Sequence, residues 1–382
     1  MQTRMTDVVV SVALLILVAT TLVAQELPTE HTIGTLQVVA MLNGAMPTGV
    51  TVANSGRMFV CFPKWTGDTV EYTVAELKNG KTYAYPDAEI NRYKQGDNPA
   101  DKLVSVQSVV VDSSGERLWI LDTGNFEDKL MPGGAKLIAV DLSADRIVKR
   151  IVLPPAVALP DVGINDVRFD LHRGKEGTAF ITDAGGNSLI VVDLASEKSW
   201  RRLVNHVSTS PDPKFVPIVE GEVFPRQPGP PEMIAVGADG IAISPDGKTL
   251  YYCPAISRHL YSLNLDVLAD PGKSDADVAA TVKDLGEKGG GSDGLESDAE
   301  GRVYLSNYEH HAIHRRLSTG EIETVVYDPR VLFPDTLSLA SDGFLYFTSN
   351  QVGRIAGFNN GHDHRQKPYA IFRVKVDGTR IR

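Results

Sequence analysis

Residues 239–253 read Asp-Gly-Ile-Ala-Ile-Ser-Pro-Asp-Gly-Lys-Thr-Leu-Tyr-Tyr-Cys, and this stretch decides the fold. Apolar residues alternate with others on both sides of Asp246 and Gly247, which is typical of two half-buried β-strands. A Gly in such a short turn supplies the positive φ that a tight hairpin requires. The segment is therefore predicted to form a β-hairpin that starts at a polar residue, Asp239.

The same pattern occurs six times along the chain, with starting residues Thr48, Gln107, Asn165, Asp239, Asp293 and Asp335. Five copies carry the Gly turn, and the third replaces it with the longer loop 171–177. Third and fourth apolar strands follow most copies, for example at 136–141 and 147–153. Four strands in each of six repeats predict an all-β, six-bladed β-propeller with four-stranded antiparallel blades over residues 33–378.

The ends of the repeat array suggest how the ring closes. The sixth repeat contains three strands, whereas residues 33–42 form an orphan strand before the first hairpin. We expect this N-terminal strand to complete the last blade, because an unpaired sheet edge invites aggregation. Two long segments, 67–102 and 205–237, are predicted to be insertions, which in compact folds are commonly functional or disordered.

Charge and the N-terminus restrict the function classes. The chain has 382 residues and a formal net charge of −10, which argues against nucleic acid as a partner. Arg4 precedes the apolar run 8–23, and small residues continue to Ala24, so residues 1–24 are predicted to be a signal peptide. We therefore expect a secreted or periplasmic monomer without a membrane span after cleavage. An uncleaved anchor is the alternative, although the run is short for a span.

The two cysteines end the second strands of the first and fourth hairpins. Blades one and four lie opposite each other in a six-fold ring, so a disulfide between Cys61 and Cys253 is geometrically excluded. Both residues are predicted to be buried free thiols.

The repeat register brings polar side chains together at one mouth of the channel, because the first strand of each propeller blade lines that channel. A second tier is predicted where second strands end, at Asp122, Asp183, Asn307, Ser349 and Asn350. The ligand-binding candidates are Thr48, Gln107, Asn165, Asp335, Asn307 and Asn350. The metal candidates are Asn165, Asp239 and Asp293, because Ca²⁺ and other hard divalent cations prefer carboxylate and amide oxygens. For any single member, an ordinary role in a turn or a backbone cap is the alternative.

Other signals are weaker. Lys64-Trp65 and Asn125-Phe126 extend the second-strand ends over the mouth and could stack an aromatic or cationic ligand. Zinc is an alternative raised by the closely spaced histidines His310, His311, His314, His362 and His364. The sequence contains no nucleophile elbow, P-loop or dinucleotide fingerprint.

Seven short segments resemble motifs of the major royal jelly protein/Yellow family and occur in that family's order. They include Arg117-Leu-Trp-Ile-Leu-Asp-Thr-Gly124 and Tyr346-Phe-Thr-Ser-Asn350, with the others at 163–167, 179–184, 250–254, 291–294 and 334–338. The resemblance covers roughly residues 34–376, and the short chain is similar to a bacterial-type relative. It implies a secreted six-bladed propeller with a small-molecule ligand in the central funnel. Some insect members resemble dopachrome-converting enzymes, and others bind biogenic amines.

The chain is more distantly similar to the gluconolactonase/SMP-30 group of propellers, which implies one divalent cation held by Glu, two Asn and Asp. Asn165 and Asp293 stand at matching register. Thr48 replaces the Glu, and Asp239 or Gln107 stands at another Asn position. These departures put the lactonase metal site in doubt.

Three functional hypotheses follow. The first is a protein that binds a small polar or aromatic amine-like molecule at the funnel, with or without a divalent cation. The second is an enzyme, either a metal-dependent lactonase-like hydrolase or a dopachrome-tautomerase-like isomerase. Its acid and base candidates are Asp293, Asp239, Asp183 and Asp122, because clustered carboxylates push one another's pKa values apart. The third is a protein-interaction platform built on segment 205–237.

Overall fold

Six four-stranded antiparallel sheets form a six-bladed β-propeller, as predicted. The computed structural model describes residues 31–160, 163–226 and 236–381, and the predicted signal peptide at 1–24 lies outside these residues. Among the described residues, no helix has the length and apolar character needed to cross a membrane.

The first three blades occupy the N-terminal half of the described chain. After the N-terminal strand β1 (Leu36–Leu42), blade one contains β2 (Val50–Val52), β3 (Met58–Cys61), β4 (Val74–Lys78) and β5 (Lys81–Ala84). Blade two contains β6 (Val106–Val111), β7 (Arg117–Asp122), β10 (Lys136–Asp141) and β11 (Arg146–Val152), with the small ribbon β8 (Asn125–Phe126) and β9 (Lys129–Leu130) between them. Blade three contains β12 (Ile164–Asp170), β13 (Thr178–Asp183), β14 (Ser188–Asp193) and β15 (Ser199–Arg202).

The last three blades follow a second ribbon, β16 (Ile218–Val219) and β17 (Glu222–Val223). Blade four contains β18 (Ala238–Ile243), β19 (Thr249–Pro254), β20 (His259–Asn264) and β21 (Lys283–Glu287), with helices α1 (Leu265–Ala269) and α2 (Asp275–Ala279) before its last strand. Blade five contains β22 (Leu295–Ser297), β23 (Val303–Asn307), β24 (Ala312–Arg316) and β25 (Ile322–Tyr327). Blade six contains β26 (Pro334–Leu339), β27 (Phe344–Ser349), β28 (Tyr369–Lys375) and β1.

The N-terminal strand closes the ring, which confirms the prediction from the orphan strand. β1 pairs antiparallel with β28, from Leu36 opposite Val374 to Leu42 opposite Tyr369. The outer edge of blade six is therefore supplied by a segment remote in sequence. This pairing joins the two ends of the propeller and covers the edge of β28.

The apolar core lies between the faces of neighbouring blades. Between blades two and three, Trp119 and Leu121 pack in one buried cluster with Val167 and Ile181. Alternation at period two puts such residues on the blade faces. Sheet-on-sheet packing of these faces around the ring holds the innermost strands at the channel.

The prediction of a long insertion at 67–102 was wrong in part. This segment contains β4 and β5, the third and fourth strands of blade one. The sequence of β5 reads Lys-Thr-Tyr-Ala and is largely exposed, so it lacks the apolar alternation that marks an inner strand. Segment 205–237 contains the ribbon β16–β17, and its residues 227–235 lie outside the described part of the chain.

Candidate functional site

Five of the six predicted ring residues line one cavity of about 580 Å³ at the mouth of the channel. They are Gln107, Asn165, Asp239, Asp293 and Asp335. Each stands at or next to the start of the innermost strand of its blade. We call this cavity the funnel.

Small residues follow the ring positions because adjacent innermost strands approach closely. A Cβ atom on Gly294 would lie 2.4 Å from the carbonyl oxygen of Asp335, and one on Gly240 would lie 2.5 Å from that of Asp293. Real Cβ atoms do not tolerate such distances from backbone. The sequence Asp-Gly at 239–240 and 293–294 therefore brings two carboxyl-bearing strands next to each other at the channel.

The second strands hold the ring residues of the next blade through side-chain hydrogen bonds. The hydroxyl of Thr182 donates to the carbonyl of Asp239 at 2.5 Å, and that of Thr348 donates to the carbonyl of Thr48 at 2.8 Å. Cys61 Sγ donates to the carbonyl of Gln107 at 3.2 Å in the same way.

Both cysteines are buried free thiols, as predicted. Burial raises the pKa of Cys61 to about 12, so this thiol stays protonated and can donate its hydrogen bond to the ring.

Three carboxyl groups meet on one side of the funnel. Asp239 and Asp293 are joined by a hydrogen bond between their carboxyl groups. Asp335 lies near enough to Asp293 for their charges to interact, and its Oδ2 accepts a hydrogen bond from Asn350 Nδ2 at 2.7 Å. A carboxylate only accepts hydrogen bonds, so the Asp239–Asp293 contact requires one shared proton.

Burial is the main cause that raises the pKa of all three carboxyl groups. It raises the pKa of Asp293 to about 6. It raises the pKa of Asp239 well above the usual range, with a further increase from the charge of Asp293, and the same two causes act on Asp335. No basic side chain is among the groups that shift these three pKa values. The three acids are therefore shifted toward their neutral forms, and among the described residues no basic side chain offsets that shift.

Aromatic rings form another part of the funnel wall. Tyr308 and Phe333 stack with their centroids 4.7 Å apart at an angle of 5°, and Phe224 contacts both Phe333 and Phe358. Trp65 stands at the rim, where its Nε1 donates to Gln107 Oε1 at 2.8 Å. The funnel thus combines acidic groups with apolar, aromatic groups.

Lys64 also lines the funnel, but aromatic rings surround its ammonium group. Lys64 Nζ lies 5.8 Å from the ring centroid of Tyr93 and 5.5 Å from that of Phe126. Burial lowers the pKa of Lys64. Lys64 has no ion pair with the three carboxyl groups among the described residues, so it leaves their charge uncompensated.

The acids Asp122 and Asp183, predicted at the mouth, are structural in their contacts and do not line the funnel. The oxygens of Asp122 accept backbone hydrogen bonds from Val104, Ser105 and Gly124, and they pair with Lys136 at 2.7 Å, with both side chains fully buried. Asp183 accepts from the backbone of Gly163 and Gly186 and pairs with Arg201 at 2.7 Å. This corrects the prediction, because each carboxylate binds backbone N–H groups next to its own strand end.

The remaining members of the second tier are also directed at backbone. Asn307 donates to the carbonyl of Gly289 and accepts from two backbone N–H groups, and Ser349 bonds Leu332. Asn350 reaches the site only through Asp335. Thr48, predicted in the ring, is buried and donates to the carbonyl of Gln107 rather than facing the funnel.

The predicted metal ligands Asn165, Asp239 and Asp293 all line the funnel and offer oxygen atoms. The described residues contain no group of three or more His, Cys, Asp and Glu side chains that could hold a metal, which includes the histidines considered for zinc. A cation at Asn165, Asp239 and Asp293 stays a prediction, and we derive no chemistry through a metal.

Comparison with known proteins identifies the family. A sequence model described as Major royal jelly protein matches residues 104–380. The chain belongs to this family. The Yellow-related salivary protein SP03 of Phlebotomus perniciosus is 25% identical over 327 residues, which cover 78% of this chain and 77% of that protein. Major royal jelly protein 7 of Apis mellifera is 28% identical over 217 residues, which cover 54% of this chain and 46% of that protein. This major royal jelly family chain thus spans about three quarters of the first relative and less than half of the second.

Solved structures share the fold with this family member. A gluconolactonase from Xanthomonas campestris superposes with a TM-score of 0.53 at 12% identity and covers 90% of this chain and 89% of that chain. The calcium-binding protein regucalcin from Agrobacterium tumefaciens gives a TM-score of 0.52 at 15% identity and covers 90% of this chain and 98% of that chain. At these identities the likeness extends to the fold alone.

Sequence reasoning missed the aromatic wall. Tyr308 directly follows the end of β23, the second strand of blade five. Lys64 and Trp65 were considered because they follow the second strand of blade one, so the same reasoning could have indicated Tyr308. Phe224, Phe333 and Phe358 come from connecting segments outside the hairpin repeat. No repeat pattern predicts the positions of such residues.

Proposed function

We propose that this protein is an exported propeller that binds a small organic cation with an aromatic body at the funnel. One observation carries the proposal: three carboxyl groups without a basic partner face a cavity with an aromatic wall. An ammonium group would supply the missing positive charge and replace the shared proton. The ring of the ligand would pack against Tyr308, Phe333 and Phe224, where edge-to-face and stacked contacts are favourable.

The amide side chains give the site its orientation. Asn165 has no hydrogen-bond partner among the described residues and faces the funnel, so it is available to a hydroxyl or an amine. Gln107 is held by Trp65 and keeps its amide nitrogen for a ligand. A phenolic or catecholic amine has groups for both the acidic side and these amides, which agrees with the amine binding implied by the family resemblance.

The test compares tyramine with tyrosol, in which a hydroxyl group replaces the ammonium group. Isothermal titration calorimetry at pH 7.5 (about 1.5 units above the pKa of Asp293) should give affinity for tyramine at least tenfold above that for tyrosol, since a charged hydrogen bond exceeds a neutral one by about 1.4 kcal/mol or more. Asp293→Asn should remove most of this difference. Asp275→Asn, which removes an exposed carboxylate on α2, is the matched control and should bind as the parent does.

Equal affinity for the two ligands, or an Asp293→Asn variant that still discriminates between them, would contradict the proposal. The divalent-cation hypothesis is tested on the same protein. Stripped of metals and titrated with Ca²⁺, it would have to show a saturable rise in melting temperature. A flat response would dismiss calcium as a ligand.

Proton transfer at the same carboxyl groups is the second candidate. A carboxyl group with a pKa of about 6 that is hydrogen-bonded to a second acid is suited to general acid–base catalysis near neutral pH. This observation favours a tautomerase-like reaction over a metal-dependent hydrolysis. Turnover of dopachrome that falls by orders of magnitude in Asp293→Asn and not in Asp275→Asn would support catalysis, and undiminished turnover would dismiss it.

Export rests on the pattern at 1–24 and on the relatives, whose names place them in saliva and royal jelly. Expression of the full chain with its own N-terminus tests the prediction. Mature protein outside the cytoplasm should begin at Gln25. Protein retained in the membrane with Met1 intact would favour the uncleaved anchor.

A further inference from the structure

A second cavity of about 680 Å³ lies further along the innermost strands, beyond the funnel. Among the described residues, the two cavities share no lining residue. We call the second cavity the lower chamber and define it by Glu296, Ser338, Phe169, Ile243, Leu337 and Arg380, which are part of its wall. We propose that the lower chamber is a separate binding site for a neutral polyol of monosaccharide size.

An ion pair between Asp166 and Arg168 separates the chamber from the funnel. Asp166 accepts from Arg168 Nη1 at 2.9 Å and from the hydroxyl of Ser108 at 2.7 Å. Arg168 Nη2 donates to the carbonyl of Leu295 at 2.6 Å. These contacts connect blades three, two and five, so the Asp166–Arg168 ion pair spans the channel. We call this ion pair the bar.

The order of residues along each strand agrees with this division. In β12, Asn165 faces the funnel, Asp166 belongs to the bar, and Arg168 lines the chamber. In blade five, Asp293 faces the funnel and Glu296 lines the chamber. A ligand in one cavity therefore contacts a different set of side chains from a ligand in the other.

Two polar side chains face the chamber with hydrogen-bonding capacity left over. The carboxyl group of Glu296 accepts backbone hydrogen bonds from Ser297, at 2.9 Å to Oε1, and from Leu339, and it forms no ion pair among the described residues. Ser338 is only 7% exposed, and its hydroxyl has no partner in the described part of the chain. Both side chains line the chamber, so their remaining hydrogen-bonding capacity is open to a ligand there.

The charges around the chamber balance, which favours a neutral ligand. Arg168 is paired with Asp166. Glu296 is influenced by both Arg168 and Arg380, although burial keeps its pKa raised. Charged side chains of both signs line the chamber, namely Arg168, Arg173, Arg380 and Lys248 with Asp112, Asp170, Asp246, Asp266 and Glu296. A cation or an anion would therefore meet like charge, whereas hydroxyl groups can donate to Glu296 and can both donate to and accept from Ser338.

The remaining wall fits the carbon skeleton of a polyol. Phe169 stacks on Trp119 with centroids 4.6 Å apart at 25°, which fixes its ring as a flat surface at the chamber. Ile243 and Leu337 add apolar surface. Sugars and cyclitols have C–H faces that pack on such surfaces while their hydroxyl groups bond polar neighbours.

The C-terminal segment forms part of the chamber wall. Arg380 donates to the carbonyls of Val111 and Asp112 at 2.7 and 2.8 Å and reaches Asn54 Oδ1 at 3.2 Å. These acceptors belong to blades one and two. The backbone of Arg380 also forms an isolated antiparallel β-bridge with Asp298, which directly follows β22 of blade five. The tail thus ties blades together beside the chamber and leaves Glu296 and Ser338 facing its interior.

The experiment measures polyol binding by calorimetry and by saturation-transfer NMR, because sugars at high concentration stabilise proteins non-specifically by exclusion. The probes are D-glucose, D-galactose, D-mannitol and myo-inositol, with tyramine as a funnel probe. At least one polyol should bind saturably. Glu296→Met should weaken it at least about tenfold, and Ser338→Ala should weaken it by a smaller factor.

A variant that loses binding must also be shown to fold. Glu296→Met removes a buried carboxyl group and should unfold at the same denaturant concentration as the parent or a higher one. Asp275→Asn should bind polyol as the parent does. The proposal is overturned if no polyol in the panel binds saturably, or if both chamber variants bind it as the parent does. Tyramine binding does not enter this judgement, so failure of the funnel proposal remains distinguishable.

Discussion

Replacing Asp122 by Asn should destabilise the propeller without affecting ligand binding. Asp122 and Lys136 form a fully buried ion pair at 2.7 Å. The same carboxylate accepts three backbone hydrogen bonds, from Val104, Ser105 and Gly124, at 2.7 to 2.9 Å. An Asn side chain keeps the shape but turns its NH₂ group toward donors that need an acceptor.

The expected loss of unfolding free energy follows from the unpaired positive charge that remains on Lys136. Lys136 would keep the carbonyls of Pro99 and Gly134 as acceptors, at 2.9 and 2.8 Å, but would lose its anion. Breaking a buried pair from one side costs about 3–5 kcal/mol. We therefore expect the free energy of unfolding of Asp122→Asn to fall by about that amount, as measured by guanidinium denaturation.

The double variant Asp122→Asn/Lys136→Met is the internal control. It leaves no uncompensated buried charge, so it should be more stable than Asp122→Asn alone. Affinity for tyramine, measured well below the denaturation midpoint, should match the parent for both variants. If Asp122→Asn lost affinity for tyramine while its free energy of unfolding stayed within about 1 kcal/mol of the parent, the structural role would be refuted. Asp122 would then be a ligand-binding residue.

Four further predictions address the funnel and its supports. The folded state binds the Asp293 proton more tightly than the unfolded chain does, so the free energy of unfolding should decrease as pH rises from about 4 to above 6. Asp293→Asn should reduce this dependence in denaturation curves across that range, and Asp239 and Asp335, whose pKa values are also raised, should supply what remains. Tyramine affinity should increase over the same range, because the amine binds the ionised acid; a pH-independent affinity would contradict this. Cys61→Thr should cost less than about 1.5 kcal/mol, because Thr182 already fills the equivalent position, and a larger loss would mean that the thiol has a further role. Gly294→Ala should lower the melting temperature by several degrees or prevent folding, since its Cβ would meet the carbonyl oxygen of Asp335 at 2.4 Å, and a normal melting curve would show that the strands can separate.

The repeat made the fold predictable from the sequence. Alternation and Gly turns locate each hairpin, and the six starting residues give the register at which side chains converge. Five of these six face the funnel because the innermost strands repeat the same geometry. Thr48 is the exception, since its short side chain reaches the neighbouring carbonyl of Gln107 instead.

The prediction that the second-tier residues face the mouth of the channel failed for a different physical reason. Asp122 and Asp183 follow the same register rule, but register gives the place of a Cα atom and not what its side chain finds there. At the strand ends, backbone N–H groups lie within reach, and a carboxylate that can bind them does so. The repeat could have indicated Tyr308 in the aromatic wall but not Phe224 and Phe358, because these two come from segments that have no counterpart in the other repeats.

The counter-charge is what distinguishes a structural carboxylate from a candidate functional one in this ring. Lys136 and Arg201 complete Asp122 and Asp183 from within their own blades. Asp239 and Asp293 are instead hydrogen-bonded to each other, and Asp335 accepts hydrogen bonds from two neutral groups, the amide of Asn350 and the hydroxyl of Thr336. A folded chain tolerates such a concentration of acid at a cost in stability, because desolvation raises each pKa toward the neutral form. An ammonium ligand would reverse that cost, so the carboxyl groups that destabilise the free protein are the ones expected to contribute most to binding.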